Sequence, residues 1–237
     1  MSTLTKLALG LMGKLRALPA SGGGLKTIRL PAPETTGGMP LMEALRQRQS
    51  SREFNPAELP PQVLSNLLWA AYGINRKAKG GRTAPSAINA QEIDVYAAMA
   101  SGLYRYDPRI HALTLTVADD VRRVTGYQDF VDEAPLDLIY VADHTRMRMV
   151  PAAQRESYAS VAAGAIAENV YLYCAAAGLA TVIRAWIDRG ALTQAMALTP
   201  DHQVLLSQTI GLPKKGKSAP SRKRSVPAAR RGGSPKQ

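Results

Sequence analysis

The chain has 237 residues, 46% of them hydrophobic but with only two Phe and two Trp, so the expectation is one core built on Leu, Val, Ile and Ala. Its formal charge of +12 is lopsided: nine Lys or Arg and no acid fall from Lys214 onward, leaving 21 basic against 18 acidic residues before that point. This excludes a uniformly basic nucleic-acid-binding body, a disulfide framework or thiolate cluster (Cys174 stands alone), and a membrane span, since no apolar run approaches roughly 18 residues.

The first twenty residues contain LALGLM between Lys6 and ALPAS, loosely the layout of a secretory signal, but Lys14 and Arg16 interrupt a stretch that such a signal keeps apolar. At helical spacing Leu4, Leu7, Leu11, Leu15 and Leu18 form one stripe, suited to an arm that packs on its own core or a partner, or to a membrane-surface helix. Gly22 to Gly24 and PAPETTGG are breaks, so residues 1–39 are expected to be an arm outside the core. PLMEALRQR predicts a helix from Pro40 to near Arg48, with Leu41, Met42 and Leu45 on one face. Pro60-Pro61 announces a second helix, carried by Val63, Leu64, Leu67, Leu68 and Ala71 and closed by Gly73 in a left-handed conformation.

After a basic loop, IDVYAAM, GLYRYD and ALTLTV are β-rich and separated by Ser-Gly and Asp-Pro turns, which predicts antiparallel strands; Leu138 to Ala142 is another. Residues 157–177 are the longest predicted helix, closed by Gly178, with alanines and Gly164 that permit close approach of another backbone, as at a subunit interface. VLLSQTIGLP is the final strand. Helices and antiparallel strands that do not alternate as βαβ units place the chain in the α+β class. The Pro-, Gly- and Ser-rich basic residues 217–237 are expected to form a disordered tail.

There is no phosphate-binding G-x-x-x-x-G-K-[ST], no G-x-G-x-x-G after a strand, no G-x-S-x-G and no H-E-x-x-H. His111, His144 and His202 lie far apart without ligand spacing and read as surface or turn residues. Four pieces remain. In RQSSREF, Arg48, Ser50 and Arg52 are spaced by two, so an extended backbone points all three to one side, where guanidinium forks and a hydroxyl match phosphate oxygens. A solvated helix end explains the same heptapeptide. RTAPSAINAQE offers Ser86 and Asn89 in a turn, both able to donate and accept. GLATVIRAWID follows the long helix, and Gly211-Leu-Pro-Lys-Lys ends the last strand.

In this order the pieces resemble the nitroreductase-like FMN oxidoreductases. R-x-S-x-R is similar to that family's phosphate and ring-edge motif, and P-S-x-x-N-x-Q, here Pro85 to Gln91, to its second. The wider string through GLYRYDPRIHAL and TGYQDFVDEAPLDLIYVAD resembles the branch related to the azoline-oxidising dehydrogenases of peptide biosynthesis, and covers about residues 26–216. The resemblance implies an α+β fold with a mostly antiparallel sheet flanked by helices, a domain over 40–216, and a flavin site at a homodimer interface. It implies that Arg48 and Ser50 hold the FMN phosphate, with Gln49 among the cofactor-binding residues, that Arg52 faces the pyrimidine edge, and that Ser86 and Asn89 meet the ribityl chain or ring edge. Backbone N–H groups of Arg184 and Ala185 would approach N5 and O4, with Ala185 standing where many relatives have Gly, and Lys214 and Lys215 would complete the phosphate clamp.

The implied activity is reduction of a small organic acceptor, quinone- or nitroaromatic-like, by NAD(P)H through a ping-pong cycle on FMN. A non-catalytic interaction protein, binding nucleic acid or an anionic surface through the basic tail, is the alternative reading. Members of the branch often carry export signals before a segment resembling LKTIRLP; the interior charges of this leader favour the cytoplasm, with export as the alternative.

Overall fold

The computed structural model describes residues 26–214. The leader at 1–20, Lys215 and the basic tail, with the nucleic-acid reading attached to it, lie outside the described residues. In chain order the elements are β1 (Thr27–Arg29), α1 (Leu41–Gln47), β2 (Phe54–Asn55), α2 (Pro61–Tyr72), β3 (Ile74–Arg76), β4 (Gly81–Arg82), β5 (Ile93–Met99), β6 (Gly102–Asp107), β7 (Ala112–Val117), β8 (Leu136–Asp143), α3 (Ala152–Ala177), β9 (Ala180–Arg184), α4 (Arg189–Ala195) and β10 (His202–Pro213).

The main sheet runs β1-β7-β6-β5-β8-β10-β2, and β9 adds to β10; every neighbouring pair is antiparallel. This is the expected α+β architecture. β10 is the hub: its length lets it pair with β8, β9 and β2 in turn. The sheet is covered on both faces. Ile93, Val95 and Ala97 of β5 and Leu136, Leu138 and Tyr140 of β8 pack with α2 and α3, while the alternate residues Tyr96, Ala98, Ile139 and Val141 pack toward α4. Two covered faces explain why these strands read as continuous apolar runs rather than strict alternations.

Three sequence expectations are corrected. The arm expected over 1–39 is not wholly outside the core: β1 pairs with β7, and Ile28 and Leu30 pack on the main cluster. Gly73 is extended, with φ −68° and ψ 167°, because the chain runs straight into β3. Its glycine is needed for space, since an added Cβ would lie 2.4 Å from Trp69 Cδ1. On α3, Ala159, Ala162, Ala163 and Ala167 are buried, but Gly164 faces outward, with no described atom within 4 Å of a Cβ built there. Gly178 does take the left-handed C-cap, φ 68°.

The apolar face of α1 points outward: Leu41, Met42 and Leu45 are exposed, Met42 by 75%, while Ala44 packs inward. α1 packs along α3, where Tyr158 and Val161 are also exposed, Val161 by 73%. Both helices of this pair thus carry exposed apolar side chains.

Candidate functional site

The first piece leaves α1 at Arg48, whose ψ of 123° turns the backbone extended. It then runs along the free edge of β9, where Ser51 N–H donates to the Thr181 carbonyl at 2.9 Å. β2 pairs with the end of β10, Pro213 opposite Phe54, and Lys214 N–H donates to the Glu53 carbonyl at 3.2 Å. Buried Phe54 anchors this arrangement against Ala134, Ala180 and Val182. Three of the four pieces, those of Arg48 to Arg52, of β9 and of Lys214, are therefore neighbours. Arg48, Arg52 and Lys214 form no ion pair with a described residue, and Arg52 and Lys214 are exposed. Gln49 and Ser51 line a cavity of about 200 Å³ together with Tyr171, Gly178 and Thr181.

On β9 the Thr181 carbonyl and the Ile183 N–H face the free edge, as their bonds to Ser51 and Tyr171 show. β9 ends at Arg184, which lies in register with Ser207 of β10, and Ala185 follows in a bend at the end of that edge. Ala185 is exposed and has no positive φ, so its methyl group causes no backbone strain.

The Arg184 side chain turns into the body. Its Nη2 donates to Asp137 Oδ1 at 2.8 Å and its Nη1 to the Thr125 carbonyl at 2.6 Å. Asp137 also accepts from the hydroxyls of Thr209 and Thr125. Burial pushes the Asp137 carboxyl up to about 6, against the pull of Arg184 and the two hydroxyls. Gly126 makes room for this guanidinium: a Cβ there would fall 1.8 Å from Arg184 Nη1. The sequence singles out Arg184 for its backbone and gives no sign of this pairing, because Asp137 is 47 residues away.

The second piece is a strained loop. Ile88, Asn89 and Gln91 all have positive φ, 49°, 54° and 53°, which a β-branched residue such as Ile88 rarely adopts. The loop is held by Gln91, whose N–H donates to Ser86 Oγ at 2.9 Å and whose amide bonds the Gly80 carbonyl, Asn89 and Arg82. Beside it, Glu92 is fully buried with neither carboxylate oxygen bonded to a described group, and burial raises its carboxyl above the usual range. Pro85, Ser86 and Ala87 line an open cavity of about 330 Å³ with Tyr158 and Val161 of α3. Val161 and Tyr171 are ten residues, about 15 Å, apart along that helix. Within one chain, then, Ser86 and Asn89 do not join the first piece.

Tyr171 is what sequence reasoning missed: it joins Ser50 to β9 from within the long predicted helix, and only its helical register marks it as inward-facing. Other clusters are occupied. Asp94, Asp143 and His202 converge, but the Arg146 guanidinium already pairs with Asp94 at 2.9 Å and Asp143 at 3.0 Å. His111 is structural: Ser65 Oγ donates to the Pro31 carbonyl, so His111 Nε2–H donates to Ser65, and Tyr106 O–H to Nδ1. Among the described residues no helix is long and apolar enough to cross a membrane.

The Nitroreductase family profile matches residues 45–212. A nitroreductase-like protein of Methanocaldococcus jannaschii is 30% identical over 170 residues, 68% of this chain and 84% of that one. A crystal structure of a nitroreductase-like protein from Ralstonia eutropha JMP134 superposes with a TM-score of 0.78 at 53% identity, covering 84% of this chain and 94% of the other. At 24% identity, a nitroreductase-like protein from Desulfovibrio desulfuricans, solved in complex with FMN, shares the fold with a TM-score of 0.54 over 77% of this chain and 92% of its own. With the fold, the family profile and these relatives in agreement, the chain belongs to the nitroreductase family and is a flavin oxidoreductase.

Proposed function

We propose that the chain is an FMN-dependent reductase that uses NAD(P)H to reduce a small organic acceptor, quinone- or nitroaromatic-like, in a ping-pong cycle. Bound FMN would supply hydride chemistry at its N5, and the protein the position and electrostatics. The observation that carries this reading is the convergence of Arg48, Ser50, Arg52 and Lys214 beside the open edge of β9. The donor set fits the group: cations without acidic partners among the described residues and an exposed hydroxyl suit a phosphate, and the exposed bend at Ala185, at the end of the β9 edge, leaves a backbone approach for the polar edge of a ring. Arg48, Gln49 and Ser50 would take the phosphate with Lys214 and Lys215. Arg52 would stabilise negative charge at the pyrimidine edge, and Ala185 N–H would face N5 and O4, with Arg184 holding that strand in place through Asp137.

Ser86 and Asn89 would complete the site from a second copy. The exposed apolar residues Leu41, Met42 and Leu45 of α1 and Tyr158 and Val161 of α3 support a homodimer, and the last two line the cavity beside Ser86. In this reading residues 40–216 are the flavin-binding domain, with β1 as its edge strand and 217–237 an appended basic tail. The test is an absorption spectrum of the purified protein before and after anaerobic NADH and NADPH. Flavin bands that bleach with either nucleotide support the reading and identify the donor. Protein that stays colourless and takes up no added FMN refutes it.

A further inference from the structure

Three parts of the candidate site converge on one buried side chain. Tyr171, on α3, is only 6% exposed. Its Oη lies 3.0 Å from the backbone N of Ile183 and 2.8 Å from Ser50 Oγ, and its ring lies under Arg48, with the guanidinium carbon 5.3 Å from the centroid.

The chemistry of these groups fixes the direction of the bonds. A backbone N–H can only donate, so Ile183 gives its hydrogen to the phenol oxygen. The phenol hydrogen, buried, needs an acceptor of its own, and Ser50 Oγ is the one in reach among the described residues. Ser50 thus accepts from Tyr171, and its own hydrogen is left on the exposed side of the residue, free for an acceptor from outside. A chain of donors runs from Ile183 N–H through Tyr171 O–H to Ser50 O–H, each bond strengthening the next. The ring face meanwhile fixes Arg48 by cation–π attraction beside that hydroxyl.

We propose that Tyr171 is a positioning residue that makes the site select a phosphorylated flavin over its dephosphorylated form, by presenting Ser50 purely as a donor and Arg48 as a fixed cation to one phosphate. A phosphate dianion accepts only, so it gains from every member of this set. Riboflavin carries no phosphate and gains nothing from it. The inference rests on the proposed FMN site, and the readout is chosen to separate the two.

The experiment measures dissociation constants for FMN and riboflavin by flavin fluorescence quenching, on the full chain and on Tyr171→Phe, Ser50→Ala and the double variant. Tyr171→Phe is expected to weaken FMN about tenfold, the scale of one hydrogen bond to a charged group, with riboflavin changed less than about twofold. Ser50→Ala, at an exposed position, is expected to give the same selective loss, and the double variant no more than Ser50→Ala alone, because both act through one bond. If Tyr171→Phe fails to fold, Ser50→Ala and a salt titration of both flavins decide. Equal weakening of both flavins, or additive losses in the double variant, overturns the inference and leaves the FMN site standing. Wild-type protein that binds neither flavin overturns both.

Discussion

Replacing Asp137 with Ala should destabilise the fold more than any surface change near the site. The Asp137 side chain has no exposure and that of Arg184 has 4%, so neither partner can be rescued by water. Ala removes the only carboxylate bonded to Arg184 Nη2 among the described residues, and the hydroxyl of Thr209 loses the same acceptor. Arg184 keeps two short bonds, Nη1 to the Thr125 carbonyl at 2.6 Å and Nη2 to Thr209 Oγ1 at 2.8 Å, but its charge is left in the interior without a counter-ion. Removing one partner of such a pair costs about 3–5 kcal/mol, which for a chain of this size lowers the melting temperature by about 6–20 °C. The reverse change, Arg184→Met, should cost less, about 1–2 kcal/mol near pH 5, because a carboxyl already pushed up to about 6 can take a proton and become neutral. Asp137→Leu combined with Arg184→Met should recover most of the loss, since an apolar pair of similar volume is often neutral. Urea unfolding followed by tyrosine and tryptophan fluorescence gives all three differences, with m-values to check that unfolding remains two-state. A cost below about 1 kcal/mol for Asp137→Ala, or a double variant as unstable as the sum of the singles, would refute the argument.

Gly73→Ala should cost about 1–3 kcal/mol by overpacking against Trp69, read as a fall in melting temperature; an unchanged value would show that the indole can move aside. His111 contributes a pH dependence. Burial lowers its folded pKa below the ordinary 6.5, so the neutral ring's contribution is complete above that value and is lost as pH falls toward the folded one. Urea midpoints of wild type should therefore drop between about pH 7 and pH 5 with a slope that His111→Gln reduces, and identical slopes would remove His111 as the cause. Val161→Glu, at a position 73% exposed in the single chain, should leave the monomer folded by circular dichroism yet abolish the dimer in sedimentation and weaken FMN retention; a stable dimer would place the interface elsewhere.

β5 to β8 and β10 were legible because β-branched and aromatic residues fill short runs punctuated by Gly, Asp and Pro. The long helix was legible from Gly178 backward, but its start at Ala152 lies five residues before the apolar run that draws the eye, at the turn that follows Pro151. β2 is two residues long and has no local signal; it exists only because Pro213 and Leu212 are there to pair with it. The motifs Arg48 to Arg52 and Pro85 to Gln91 could be read as pieces, but not how the chain arranges them. That arrangement depends on Tyr171, 121 residues from Ser50, and on the Gln91 side chain, which stabilises backbone angles that no propensity predicts. Asp137 hides for a similar reason: within an apolar strand it looks like an outward-facing residue until the guanidinium that neutralises it comes into view.

The threefold pairing of β10 also sets the order in which the protein can be assembled during synthesis. Every strand from β1 to β9 is made before residue 202, yet β2 and β9 have no sheet partner until β10 arrives, and β8 has only β5. A nascent chain stopped short of β10 would hold a β1-β7-β6-β5-β8 half-sheet with a bare, hydrophobic β8 edge, a surface that pairs readily with other chains. The segment Arg48 to Asn55, translated early, would have nothing to rest on. Construction of the β9 edge is thus deferred until β10 is made, and long-range strand pairing rather than local helix formation is the event that completes it.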